Sequence, residues 1–235
     1  MKTGMSIAEN VDRIEERIQK ACETAGRKRS DITLMGVSKF EPLNRVDEAF
    51  HAGIRCFGES RVKEALQKFE TFRSEYPVEV HLIGSLQRNK AKAAALFFDC
   101  IQSVDRLELV SELVKYAACR KEPLAVLLEL HTGEESKSGF TDFDRLFKAA
   151  QMVMESDNLK PSGLMAMAPF TADKNVIRHS FRQLVKAQEE LEKRFPSEKK
   201  KDNWACLSMG MSNDFEIAVE EGSTMLRIGS LIFKG

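Results

Sequence analysis

The sequence has no surplus of either charge: Lys plus Arg and Asp plus Glu each number 36, and the formal net charge is zero. A chain without a basic excess cannot neutralise a run of phosphates, so nucleic-acid binding is not expected. Long apolar runs are also lacking; none approaches the roughly 18 residues of a membrane span. The start, Met1-Lys-Thr-Gly-Met-Ser6, has no apolar core of a secretory signal. A cytoplasmic protein with no membrane partner is the expectation. Cysteine is sparse and odd in number: Cys22, Cys56, Cys100, Cys119 and Cys206 include no C-x-x-C pair, which argues for reduced thiols rather than a disulfide framework. The four histidines, His51, His81, His131 and His179, show no ligand spacing, and no metal site is expected from it.

What is present is a rhythm of short apolar runs alternating with helical patterns. Ser6 and Glu9 form a capping-box signature before Ile7, Val11, Ile14, Ile18 and Cys22, which recur on one helical face until Gly26. Strands are then expected at 32–37, 54–57, 78–83, 100–104, 124–130, 163–167, 204–208 and 223–228, with a helix after each of the first seven and Gly229-Ser230 after the last. Asp105 is expected to cap the fourth of the alternating helices, after the strand 100–104, and Asp173–Arg194 to form a long one. Eight βα units in 235 residues fit a single (β/α)8 barrel of the TIM type with an extra amino-terminal helix, spanning 1–235 without an internal boundary. The charged stretch 195–203 reads as a surface loop.

The first strand ends in Ser38-Lys39, with Pro42 just beyond. A lysine at the rim of a buried core is desolvated, which favours the neutral amine that attacks a carbonyl compound. In such a barrel the loops after the strands build the active site, and phosphate groups often sit after strands seven and eight. Ser208, Met209, Gly210 and Ser212 form the first of those loops; Gly229 and Ser230 form the second, with Arg227 two residues upstream on the same strand face. A carbonyl-reactive lysine beside a phosphate cradle suits a phosphorylated aldehyde, with pyridoxal 5′-phosphate (PLP) first among them. A sugar-phosphate aldolase of the lysine class is the other chemistry open to this pairing; it needs a carboxylate or tyrosine acid/base near the lysine, for which Glu59 is the candidate.

Six ordered motifs carry a resemblance: Gly36-Val-Ser-Lys39, Phe57-Gly-Glu-Ser-Arg-Val62, His81-Leu-Ile-Gly-Ser-Leu-Gln-Arg-Asn-Lys90, Gly133-Glu-Glu-Ser-Lys-Ser-Gly139, Leu207-Ser-Met-Gly-Met-Ser212 and Gly222-Ser-Thr-Met-Leu-Arg-Ile-Gly-Ser230. Across nearly its whole length the chain resembles the pyridoxal phosphate homeostasis proteins, whose barrel is similar to the amino-terminal domain of alanine racemase. A monomer is expected, and the resemblance implies a PLP carrier that holds the cofactor as a Schiff base on Lys39. It also implies Arg227 facing the pyridine nitrogen, phosphate contacts at Ser208, Gly229 and Ser230, and Lys137 near the cofactor. Ser60 stands where the family usually has Asn, and Glu41 where it has a second Lys. An arginine opposite the pyridine nitrogen weakens the electron sink that carbanion chemistry needs. Racemases on this barrel also draw a tyrosine acid/base from an additional β domain, whereas Tyr76 and Tyr116 are expected in a loop and within a helix. No catalytic residue is therefore expected. The expected role is PLP homeostasis, with apo PLP enzymes as recipients; the alternative is a weak PLP-dependent amino-acid racemase.

Overall fold

The computed structural model describes residues 5–133, 138–196 and 203–234. Eight parallel strands close into a barrel in chain order: β1 (Thr33–Val37), β2 (Cys56–Glu59), β3 (Glu79–Leu82), β4 (Cys100–Val104), β5 (Leu124–Glu129), β6 (Leu159–Met165), β7 (Cys206–Ser208) and β8 (Met225–Ile228). The strand order expected from the sequence is the one found. Closure comes from β8 pairing with β1, Leu34 opposite Leu226 and Gly36 opposite Ile228. Outward-facing residues such as Phe57, Val80, Ile101 and Val126 join the helices in one continuous apolar layer, and each is fully buried. That layer is why the strands read as apolar runs rather than as alternation.

The helices are α1 (Ile7–Ala25), α2 (Leu43–His51), α3 (Val62–Glu75), α4 (Ala91–Phe97), α5 (Leu107–Ala117), α6 (Phe143–Met154), α7 (Lys174–Arg194), α8 (Phe215–Glu220) and α9 (Ser230–Phe233). The extra helix, α1, begins with the expected capping box between Ser6 and Glu9, and Gly26 ends it in the left-handed conformation at φ 65°. Its place in the ring follows from the shortness of α8 and α9, which it packs against. Asn10 donates to the carbonyl of Ile232 at 3.0 Å, and Arg17 pairs with Glu216 at 2.5 Å.

Some boundaries differ from the pattern reading. The sixth strand starts at Leu159 rather than at residue 163, and so includes Pro161. Proline in a strand suggests a break, but the register against β5 shifts just beyond it, and a bulge tolerates the missing N–H. At Gly163 an added Cβ would lie 1.9 Å from the carbonyl oxygen of Cys206, so β6 and β7 meet there only because that side chain is absent. The helix after β4 is preceded by Arg106, which offers no side-chain cap; Asp105 pairs with Arg106 instead. The last full helix, α8, starts at Phe215 rather than at residue 213, because the preceding residues form a turn closed by Asp214. The stretch 197–202 of the expected charged loop lies outside the described residues.

Candidate functional site

Lys39 follows β1 in a turn closed by the N–H of Glu41 on the carbonyl of Ser38 at 3.0 Å. Phe40, in the same turn, has φ 66°, a conformation uncommon for a residue with a bulky side chain. Its ring is 71% exposed and lies under the guanidinium of Arg61 at 5.5 Å. The turn carries Lys39 beyond the rim of the core, and the residue is exposed. The desolvation expected from its strand-end position is therefore not present: the strand stops at Val37, and Ser38 rather than Lys39 is the buried residue.

A cleft of about 510 Å³ opens at the carboxyl ends of the strands, within the size range of small-ligand sites. Lys39, Phe40 and Glu41 line it after β1, Ser60 after β2, and Ile83 after β3. Met167 follows β6, Met211, Ser212 and Asn213 follow β7, and Arg227, Gly229, Ser230 and Lys234 come from β8 and beyond. Three cations, Lys39, Arg227 and Lys234, face one lining carboxylate, Glu41. The lining is therefore biased towards an anionic ligand.

Among the residues singled out from the sequence, Lys39, Ser60, Ser212, Arg227, Gly229 and Ser230 come together here. Ser208, Met209 and Gly210 are not among the lining residues. Ser208 is fully buried; its hydroxyl donates to Gln102 Oε1 at 2.7 Å and accepts from Arg227 at 2.8 Å. Met209 is fully buried in the apolar layer. Gly210, at φ 96°, has Ala218 Cβ only 2.6 Å from where its own Cβ would stand. Glycine and serine at this corner serve the packing of the turn, while the residues just after it reach the cleft. Lys137 lies outside the described residues.

Arg227 is only 4% exposed, and its guanidinium is fixed by the carbonyl oxygens of Ser208 (2.7 Å) and Ala166 (2.8 Å) as well as the Ser208 hydroxyl. Burial lowers its pKa from the ordinary value, with Asp214 and Glu129 acting in the opposite direction. A guanidinium nevertheless stays charged across the accessible pH range. It does not pair with Glu221, which is held by Arg178 and Arg182. The interior network behind it, Gln102 with His81 Nδ1 at 2.9 Å, carries no sequence signal, because its members lie on strands far apart in the chain.

Glu59 points away from the cleft. It is fully buried between β2 and α3, where Oε1 accepts from Ser38 Oγ and Lys68 Nζ, each at 2.7 Å. It cannot serve an amine in the cleft as a proton donor, which removes the carboxylate that an aldolase reading relied on. Tyr76 packs between Phe50 and Phe72, with ring centroids at 4.7 Å from each, and Tyr116 packs against the apolar layer. No tyrosine is among the described residues lining the cleft.

The alanine racemase amino-terminal domain model matches residues 10–235. A pyridoxal phosphate homeostasis protein of Aquifex aeolicus is 38% identical over 97% of this chain and 98% of its own length. The chain belongs to the pyridoxal phosphate homeostasis protein family. A structure of an unknown protein from Bifidobacterium adolescentis superposes with a TM-score of 0.89 at 34% identity, covering 97% of this chain and 94% of that one. PipY of Synechococcus elongatus, solved with PLP bound, gives a TM-score of 0.80 at 31% identity, covering 94% of this chain and 99% of that one. The family membership agrees with the six-motif resemblance, and the barrel is the one that resemblance implied.

Proposed function

We propose that this chain binds pyridoxal 5′-phosphate in the cleft at the carboxyl ends of its strands and takes part in its cellular homeostasis. The supporting observation is that one exposed amine, Lys39, shares a cleft of small-ligand size with the polar corner Gly229-Ser230. The solved relative PipY, with PLP bound, supports the same cofactor. The net positive lining suits a phosphate. When bound, PLP supplies a reactive aldehyde and an electron-withdrawing pyridine ring.

In this reading Lys39 provides the amine that bonds to the aldehyde carbon, with loss of one water. Ser212, Gly229 and Ser230 hold the phosphate, and Ser60 lines the cofactor's edge. Ser208, Met209 and Gly210 act by shaping the turn and by seating Arg227. Arg227 presents a fixed cation to the ring, which opposes protonation of the pyridine nitrogen. With that cation in place and no tyrosine among the described lining residues, holding the cofactor is favoured over turnover. A carrier that supplies apo-enzymes in the cytoplasm, acting as a monomer through the whole of 1–235, is the role we assign.

The test is spectroscopic. Purified protein mixed with PLP is expected to develop a visible absorption band that borohydride bleaches, leaving the label on the peptide containing Lys39. Lys39→Ala should show neither band nor label. A label on another lysine, or no band at all, overturns the assignment; turnover of single amino-acid enantiomers that disappears in Lys39→Ala would favour a racemase instead.

A further inference from the structure

The opposite end of the barrel holds a second group of chemistry-bearing side chains that the cleft does not use. Cys56 and Glu79 are register partners at the starts of β2 and β3, and His81 lies two residues along β3, opposite Cys100 on β4. The two-residue period of a strand turns Glu79 and His81 to the same side, towards the barrel axis. One ligating atom from each of Cys56, Glu79 and His81 falls within 4.8 Å of the other two.

We propose that the amino-terminal mouth of this barrel is a binding site for a thiophilic divalent cation of the Zn²⁺ class, with Cys56 Sγ, the Glu79 carboxylate and His81 Nε2 as ligands and water in the fourth position. This goes beyond the PLP reading and does not depend on it.

The geometry fits the ion. With Zn–N and Zn–O bonds of about 2.0–2.1 Å and Zn–S of about 2.3 Å, the edges of a tetrahedral site measure roughly 3.3–3.6 Å. His81 Nε2 and Glu79 Oε2 are already 3.4 Å apart. The Cys56 thiol has to close by little more than about an ångström, within reach of a small χ1 adjustment. The ring of His81 is held from behind: Gln102 meets Nδ1 at 2.9 Å, which turns Nε2 towards Glu79. In the structure the Gln102 amide nitrogen faces Nδ1 and its oxygen accepts from Ser208, so ligation through Nε2, which leaves the ring proton on Nδ1, requires the Gln102 amide to turn over and donate to Ser208 instead.

The surroundings select for a soft cation. Cys56 packs with Met35 and Met225, and Cys206 lies against that cluster, so sulfur dominates the floor. A hard, oxygen-seeking ion such as Mg²⁺ gains little from such a lining, whereas mixed sulfur, imidazole and carboxylate donors suit Zn²⁺. Cys56 and His81 are buried while the Glu79 side chain is 69% exposed, so the carboxylate is the entry point from solvent. Binding replaces the thiol proton, which is released to solvent.

Cobalt is the probe, because its tetrahedral thiolate complexes are coloured. Titrating Co²⁺ into the full-length protein is expected to give d–d bands and a sulfur-to-cobalt charge-transfer band, both removed by one equivalent of Zn²⁺ and unaffected by loading with PLP. Cys56→Ser should abolish the charge-transfer band. Cys119→Ser, at an exposed cysteine, should leave it intact. Glu79→Gln alters an exposed side chain and so keeps the test open if Cys56→Ser folds poorly. It is expected to weaken Co²⁺ at least tenfold, roughly the scale of losing even an outer-shell partner. A folded unsubstituted protein without a charge-transfer band, persistence of that band in Cys56→Ser, or unchanged affinity in Glu79→Gln overturns the site.

Discussion

Lys68 Nζ lies 2.7 Å from Glu59 Oε1 and also 2.7 Å from the carbonyl oxygen of Ser38, directly behind the turn that carries Lys39. The Glu59 side chain is fully buried and that of Lys68 only 11% exposed, and Glu59 Oε2 has no hydrogen-bond partner. This pair ties α3 to the end of β1, so the position of Lys39 depends on an ion pair that does not line the cleft. Removing either partner alone strands a buried charge, which costs about 3–5 kcal/mol. Lys68→Met and Glu59→Leu should each lower urea stability on that scale, whereas the double substitution Lys68→Met with Glu59→Leu should lose less than the two singles combined. Equal and additive losses would show that the pair is not coupled.

The second prediction concerns Gly210. Its φ of 96° is unfavourable for any side chain, and an added Cβ would sit 2.6 Å from Ala218 Cβ and 2.9 Å from Leu226 Cδ2. Backbone strain and overpacking together should make Gly210→Ala at least about 2 kcal/mol less stable by denaturant titration. At low temperature, where the variant stays folded, PLP binding should fall far less than stability does. This corner shapes the turn and does not itself line the cleft.

The phosphate assignment can be separated from the amine assignment. Ser230 is exposed and opens α9, so an aspartate there is compatible with the fold and with the helix start. Ser230→Asp places a carboxylate where the phosphate is proposed to sit. Affinity for PLP should drop by about tenfold or more, equivalent to about 1.4 kcal/mol, while reaction with unphosphorylated pyridoxal is unchanged. Equal losses for both aldehydes would move the phosphate elsewhere.

Glu221 gives a pH dependence of stability. Burial acts to raise its carboxyl pKa, but hydrogen bonds from Arg182 and Arg178, each at 2.7 Å, outweigh it and hold the group below its ordinary 4.5. A carboxyl with a depressed folded-state pKa stabilises fully above the unfolded value and loses that contribution as pH falls through the folded one. The stability gap between unsubstituted protein and Glu221→Gln should therefore be constant near neutrality. It should shrink progressively below about pH 4.5 in urea titrations. A gap independent of pH would mean that the carboxylate charge contributes nothing.

Local patterns were enough to read the helix start at Ser6, the alternation of strands and helices, and the collection of polar residues after the strands. Each rests on neighbours in the chain: capping needs a three-residue interval, and a buried parallel strand needs only an apolar run. The missed start of β6 has a local cause too, since Pro161 signals a break unless a bulge accommodates it, and only the register against β5 reveals one.

By itself the sequence determined the barrel, its strand order, and the face on which Lys39, Arg227 and Ser230 would gather, because topology follows from alternation and from short connections. The tertiary structure decided which of the candidate residues face the cleft. Ser208 and Met209 turn inward to packing while Ser212 and Ser230 turn out, because a side chain's direction at a strand end depends on where the strand stops and how its partner is registered. It also decided that Glu59 belongs to Lys68, and that Cys56, Glu79 and His81 share one mouth. Those contacts are made across strand and helix neighbours, and no spacing along the chain encodes them.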